Sequence, residues 1–324
     1  MEYRRLGASG LEVSVVGLGT NAFGSRADRE TSIRVIHAAL DRGVNFIDTA
    51  NIYSGSRSEE IIGEALQGRR DQVILATKAG LPCGSGPNDR GASRYHIRRE
   101  LERSLRRLKT DYVDLYQIHT FDPYTPLEET LGTLDDLVRA GKIRYIGASN
   151  YAAWELMKAL GVSDRLGLTR YVSIQPCYSL ADRTVEIELV PLCLDQGIGI
   201  IPYFPLAGGI LTGKYTSKDD APKGSRADKD PNFAKRLDPA RLELGRQVSR
   251  LAEERGLAAG ALSLAWLLSR PAVSTVIVGA TRVEQVEENL RAADVILDED
   301  LAAELDRISE PFRRSEPFAS YRLG

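Results

Sequence analysis

Short runs of β-branched and aliphatic residues recur along the chain, and stretches of helical periodicity separate them. The runs are Val15–Thr20, Val44–Asp48, Val73–Thr77, Tyr112–His119, Ile143–Ser149, Tyr171–Gln175, Ile198–Pro202 and Thr275–Val278. Their polar and apolar positions do not alternate cleanly, which suits parallel strands buried on both faces. Eight strands alternating with helices predict an α/β architecture closed into a (β/α)8 barrel. A preceding pair of segments, Tyr3–Leu6 and Glu12–Val15 around Ala8-Ser9-Gly10, reads as an N-terminal β-hairpin plugging the barrel bottom.

Helix signals fit the same scheme. Thr125-Pro126-Leu127-Glu128 reads as a capping box with Pro at the first helical position, and Gly141 as the stop. Between them Leu127, Leu131, Leu134 and Val138 form one apolar stripe. Ile97, Leu101, Leu105 and Leu108 do the same after Ser93 as N-cap, and Gly43 closes the first helix. One interval breaks the rhythm: the seventh strand begins at Ile198 and the eighth only at Thr275. The segment Leu206–Arg236 within it is rich in Gly, Lys, Arg and Asp, as expected of a long functional loop after strand 7.

Composition narrows the class. The 324 residues are 43% hydrophobic and 27% charged, as in ordinary globular proteins. No composition shift marks a boundary, so residues 1–324 are expected to form one barrel domain, with 310–324 as a tail. That tail carries Phe312, Phe318, Tyr321 and three arginines, which suit a pocket cap, an interface or a free end alike. Lys and Arg number 43 against 45 Asp and Glu, a net charge of −2 that offers no overall basic field to nucleic acid or membrane. The apolar run from Gly197 to Gly213 is too short for a membrane span and is broken by Pro202 and Pro205. Cys83, Cys177 and Cys193 read as free thiols, and the N-terminus lacks a signal-peptide core, so a cytoplasmic protein is expected.

In such barrels the working residues sit at the C-terminal ends of the strands. The second strand ends in Asp48 with Tyr53 shortly after, the third in Thr77-Lys78, and the fourth in Ile118-His119. Taken singly, an Asp–Lys pair is usually structural, and a Tyr or His usually packing. Convergence at the mouths of three successive strands suggests more. An ammonium beside a phenol favours the phenolate and lowers its pKa, so Lys78, held by Asp48, would make Tyr53 a proton donor. His119 would then orient the substrate oxygen. His37 and His96 look structural; no spacing brings His and Cys together, and no metal site is expected.

Gly17-Leu18-Gly19-Thr20-Asn21-Ala22 matches the dinucleotide fingerprint G-x-G-x-x-G/A after a strand. A Rossmann site requires a helix to begin inside that turn, whereas here the helical pattern starts only near Arg29 or Glu30. That reading is rejected.

Longer motifs point elsewhere. Gly43-Val44-Asn45-Phe46-Ile47-Asp48-Thr49-Ala50 with Tyr53, Asp111–His119, Gly141–Asn150 and Pro205–Tyr215 resemble the aldo-keto reductases, in the bacterial branch similar to the potassium-channel β-subunits. The resemblance runs from about Tyr3 to Ala293 and implies a catalytic tetrad of Asp48, Tyr53, Lys78 and His119. It implies NADPH bound across the strand ends, with NADH as the alternative cofactor, and a small carbonyl substrate reduced to an alcohol. Cofactor contacts would come from Gly19, Thr20, Asn21 and Asp48. Ser149, Asn150 and Gln175 would hold the nicotinamide amide, with Tyr203 stacked on the ring. Leu206, Gly208, Lys214 and Arg226 would close over the pyrophosphate, and Gly279, Thr281, Arg282, Gln285, Glu288 and Asn289 would hold the adenosine end. Many relatives place Arg directly after Gly-Ala, whereas here Ala280 is followed by Thr281 and then Arg282. Phe23 and Phe121, with Tyr53 and His119, would line the substrate pocket, joined by Trp154; the alternative for Phe23, Phe121 and Trp154 is ordinary loop packing. The resemblance also admits two alternatives: physiological oxidation of an alcohol or sugar, and a nicotinamide-binding regulatory or sensor subunit. Oligomeric state does not follow from the sequence.

Overall fold

Two hydrophobic clusters, one inside the other, organise the chain in a computed structural model that describes residues 1–215, 217, 222–223 and 225–323. Thr216, Lys218, Asp219, Asp220, Ala221 and Gly224 of the long loop, and the terminal Gly324, lie outside the described residues. The hairpin comprises β1 (Tyr3–Arg5) and β2 (Glu12–Ser14), antiparallel in the register Tyr3↔Ser14. The barrel strands follow as β3 (Val16–Gly19), β4 (Phe46–Asp48), β5 (Ile74–Ala79), β6 (Val113–Ile118), β7 (Ile143–Ser149), β8 (Tyr171–Gln175), β9 (Gly199–Ile200) and β10 (Val276–Gly279). They are parallel in the order β10-β3-β4-β5-β6-β7-β8-β9. Hydrogen bonds Ile200 N to Ala272 O (2.7 Å) and Ser274 N to Ile200 O (3.0 Å) close the ring. The eight expected strands are all present: β7 and β8 have the expected bounds, β3, β4, β6 and β9 are shorter, and β5 and β10 each start one residue later and run past the expected end.

Strand parity decides what points inward. Successive side chains of a strand face opposite sides. Phe46, Ala76, Leu115 and Ile277 share the inner cluster with Leu6 and Val13 of the hairpin region. Their neighbours Ile47, Leu75, Tyr116, Val276 and Val278 belong to the outer cluster, against the helices. Two residues beyond the inner apolar layer, at the C-terminal ends, the same parity places Asp48, Lys78 and Gln117 toward the axis. The barrel's apolar floor thus leads directly to a polar mouth.

The hairpin seals the other end. Ala8 N donates to Gly197 O (2.7 Å) and Gly7 N to Ser274 Oγ (3.1 Å), both just ahead of β9 and β10. Gly7 has φ +58°, and a Cβ there would lie 2.6 Å from Gly197 O and Val172 O, so the turn requires glycine. Ser93 caps the helix Arg94–Leu108, and Asp28 caps Arg29–Asp41, well past the fingerprint turn. The expected capping box at Thr125 does not form. Thr125 Oγ1 donates to Asp122 Oδ2 (2.7 Å) instead, and Pro126 occupies the cap of Leu127–Arg139 without a side-chain bond. The Asp122 carboxylate accepts the hydroxyl proton and holds the oxygen there, rather than over the backbone N–H groups from which a cap would accept.

Beyond β9 the long loop is partly helical, with a tight turn at Ala207–Thr212 and short helices Arg226–Lys229 and Pro231–Ala234. The tail folds across the barrel mouth. Thr120 Oγ1 donates to Tyr321 O (2.8 Å), Phe318 N to Asp182 Oδ2 (2.7 Å), and Arg322 pairs with Glu155 (2.7 Å). The tail therefore lies over the mouth rather than hanging as a free end. Among the described residues, no helix is long and apolar enough to cross a membrane.

Candidate active site

At the polar mouth the Lys78 ammonium is fully buried, and three oxygens surround it. Nζ donates to Asp48 Oδ2 (2.6 Å), to Thr49 O (2.8 Å) and to Tyr53 OH (3.3 Å). Asp48 Oδ1 in turn accepts from Gln117 Nε2 (3.0 Å) and Gln175 Nε2 (2.9 Å). Both carboxylate oxygens are therefore satisfied, the condition under which a buried ion pair is tolerated. Tyr53 opens a short turn, Tyr53–Ser56, whose next three residues all have positive φ. That turn brings the phenol back over Lys78. The Tyr53 and His119 rings meet edge to face at 6.0 Å between centroids.

Electrostatics follow from burial. Burial drives Lys78 toward its neutral form, but Asp48 and Tyr53 override it, and the ammonium is held above its ordinary pKa. Burial and the Lys78 charge push His119 well below its usual value, so its ring is neutral. For Tyr53 the net shift is opposite to the lowering expected from the Lys78 ammonium alone. Burial pushes the phenol above its ordinary range, Lys78 pulls it down, Asp48 pushes it up again, and the net shift is upward. Lys78 spends much of its field on Asp48, its nearer partner. The group is thus a firmly protonated phenol, 3.3 Å from a cation that would stabilise its conjugate base.

Polar side chains continue around the rim. Ser149 Oγ donates to Gln175 O (2.8 Å), Asn150 Nδ2 to His119 O (2.9 Å), and Tyr203 OH to Asn150 Oδ1 (2.8 Å). Asn150 has φ +56°, an uncommon conformation that aims its amide at the mouth. Thr20 Oγ1 donates to Asp48 O (2.8 Å), and Gly19 adjoins Gly279 across β3 and β10.

A second polar region lies beside the first. Burial and the charges of Arg282, Arg26 and Arg226 pull Lys214 below its ordinary pKa. Burial, then Arg26, bring Arg226 down to about 10. Cations that depress one another fit an anionic ligand. Arg26 escaped the sequence reading, because nothing in its loop marks it; only the fold brings it to Lys214 and Arg226. Next to this region Thr281 N donates to Gln285 Oε1 (2.8 Å), and Arg282 Nη2 to Glu288 Oε1 (3.3 Å). Leu206 and Asn289 are half-buried, and Asn21 Oδ1 accepts from Arg26 Nη2 (3.1 Å). Gly208 has φ +67° and no room for a Cβ, which would meet the Phe233 ring at 2.1 Å.

The chain matches the model of the Aldo/keto reductase family over residues 15–310. It belongs to that family. An uncharacterized oxidoreductase of Bacillus subtilis, YrpG, is 40% identical over 95% of this chain and 96% of its own length. A probable voltage-gated potassium channel subunit beta of Arabidopsis thaliana is 40% identical over 91% of this chain and 92% of its own. The aldo-keto reductase YhdN of Bacillus subtilis is 39% identical over 89% of this chain and 87% of its own. This aldo-keto reductase is accordingly an NAD(P)H-dependent oxidoreductase acting on carbonyl compounds.

Two expectations need correction in three dimensions. Phe23 is fully buried in the outer core, so it packs the barrel wall and cannot line a pocket open to substrate. Phe121 stays at the mouth, edge to face with Tyr151 (5.2 Å) and Trp154 (5.8 Å). A His–Cys cluster, not expected from the sequence spacing, also forms. Cys83, His96 and Glu100 come together, because the loop after β5 folds back onto the next helix. Gln117 was missed too, although it lies two residues before His119 and shares the inward parity of Lys78.

Proposed function

We propose that this aldo-keto reductase reduces an aldehyde or ketone to an alcohol, with NADPH as the preferred cofactor and Tyr53 as general acid. The observation that carries the reading is the buried line Asp48–Lys78–Tyr53, at 2.6 and 3.3 Å, facing a neutral His119. When bound, the nicotinamide supplies a hydride to the carbonyl carbon. Tyr53 gives its phenolic proton to the carbonyl oxygen as negative charge develops there. Lys78 stabilises the phenolate left behind, and Asp48, held by Gln117 and Gln175, keeps Lys78 charged and in place. His119 offers a neutral N–H to the same oxygen and does not compete as an acid.

The donor set fits a dinucleotide. Ser149, Asn150 and Gln175 Oε1 are amide-binding groups beside the tetrad, and Tyr203 offers a ring face. Leu206, Gly208, Lys214 and Arg226 suit the pyrophosphate, whose charge would relieve the cation crowding. Gly19, Thr20, Asn21 and Gly279 offer close backbone approach, and Thr281, Arg282, Gln285, Glu288 and Asn289 suit the adenosine end. Arg282 gives the 2′-phosphate a cation, which supports NADPH over NADH. Phe121, Tyr151 and Trp154 give the mouth an apolar wall suited to a small, partly apolar carbonyl. All three thiols are free, as a reducing cytoplasm would keep them.

A panel of aldehydes and ketones with NADPH and NADH, and of alcohols with the oxidised cofactors, tests this. Reduction of at least one carbonyl with NADPH is expected. Cofactor binding without turnover in either direction would favour a regulatory subunit, the reading that the channel-subunit relatives keep open.

A further inference from the structure

The loop from β5 to the helix Arg94–Leu108 carries Cys83, exposed to solvent, back against the first turns of that helix. Cys83 Sγ, one ring nitrogen of His96 and one carboxylate oxygen of Glu100 lie within 4.8 Å of one another. His96 and Glu100 are four residues apart, which puts them on one helix face. His96 is fully buried and Glu100 nearly so. Neither belongs to the reaction site described above.

The histidine is the decisive observation. His96 Nδ1 lies 3.0 Å from Asn88 O. A carbonyl only accepts, so Nδ1 carries the proton and Nε2 presents a lone pair. Arg99 Nη2 stands 3.4 Å from the same Nδ1, but it already donates to Asn88 O (3.0 Å) and Asp89 Oδ1 (2.7 Å). Among the described residues, Nε2 itself is buried with no hydrogen-bond partner. An imidazole fixed by a backbone carbonyl through one nitrogen, with the other open, is the arrangement that metal-ligating histidines use.

We propose that Cys83, His96 Nε2 and Glu100 form a zinc site with an open fourth position. A thiolate, an imidazole and a carboxylate suit a borderline-soft tetrahedral ion, whereas magnesium and calcium take oxygen donors and have no use for the sulfur. Ligands at roughly 2.0–2.3 Å from zinc sit about 3.3–3.8 Å apart. The observed grouping therefore tightens by small rotations of Cys83, the exposed member. Glu100 also accepts from Arg103 Nη1 (2.9 Å), Arg99 Nε (3.3 Å) and Asn51 Nδ2 (2.9 Å). The two arginines temper affinity, while Asn51 ties the site to the reaction centre, because its backbone N–H donates to Lys78 O (3.1 Å). Zinc here would pin the loop 80–92 against the wall behind Lys78. Binding releases the thiol proton, so affinity rises with pH.

Cobalt(II) serves as the visible probe, titrated into metal-free full-length protein and then displaced by zinc. One equivalent per chain with a thiolate-to-metal charge-transfer band is expected. Cys83→Ser is exposed and leaves the core intact; it should abolish the band and weaken zinc binding about 100-fold or more, since even indirect partners of a metal ligand cost 10- to 100-fold. Glu100→Gln keeps an acceptor for Asn51 and should weaken zinc with the band retained. Absence of the band in the wild type, or an unchanged band in Cys83→Ser, would overturn the proposal. The readout does not depend on turnover, so it stands or falls apart from the reductase reading.

Discussion

Replacing Lys78 by Met removes the one charge that links Asp48 to Tyr53 while nearly conserving volume. Two unit charges at the 3.3 Å separation of Lys78 Nζ and Tyr53 OH attract by about 5 kcal/mol at an effective dielectric of about 20. Proton transfer is partial in the transition state, so about half of that is realised, or roughly 10²-fold in rate. The variant also leaves Asp48 without its counter-ion. Gln117 and Gln175 still donate to Oδ1, which places the destabilisation near the lower edge of the range for a broken buried pair, about 3 kcal/mol. The assay is kcat/KM for a reducible carbonyl, measured at a temperature where thermal melts show both proteins folded. NADPH affinity should change by less than the rate. Combined with Tyr53→Phe, the loss should be no larger than that of the worse single variant, because the two groups act as a unit. Multiplicative losses in the double variant would refute the idea that Lys78 works through Tyr53.

Two further outcomes follow from the same geometry. Tyr53 titrates above its ordinary range and His119 well below its own, so neither changes charge between about pH 6 and 9. Carbonyl reduction measured as kcat/KM should be flat across that window and fall only at higher pH as the phenol ionises; an inflection near pH 6.5 would implicate a titrating His119. Arg282 is more than half exposed and already shares Glu284 and Glu288, so its contact with a 2′-phosphate sits at the low end of a charged hydrogen bond, about 1.5 kcal/mol or tenfold. Arg282→Ala should lower the NADPH-over-NADH ratio of kcat/KM by about that factor, and an unchanged ratio would move the phosphate contact to Lys214, Arg226 or Arg26.

The barrel was legible because its strands are buried on both faces and read as unbroken apolar runs. The strand-end rule then found Asp48, Lys78 and His119 without knowledge of the third dimension. Tyr53 needed more, since its position depends on a turn of positive-φ residues that no periodicity announces. What the sequence hid were quantities set by packing. Phe23 looked like a loop residue and proved to be core, because the loop after β3 folds inward. The sign of the Tyr53 shift turned on burial outweighing a cation already engaged by Asp48. Cys83 and His96 are thirteen positions apart, with no motif between them, and meet only because Gly80 and Gly91, both at positive φ, turn the loop back. The tail's aromatics offered no pattern from which its course over Thr120 and Tyr203 could be read.

The central claim is that Tyr53 is the proton donor. Tyr53→Phe keeps the ring against His119 and removes only the hydroxyl that faces Lys78. Pre-steady-state loss of nicotinamide absorbance on mixing the NADPH-bound protein with its best carbonyl substrate isolates the chemical step. A decrease of roughly 10²- to 10⁴-fold is expected, with NADPH affinity little changed. A near wild-type rate of hydride transfer in Tyr53→Phe would contradict the account.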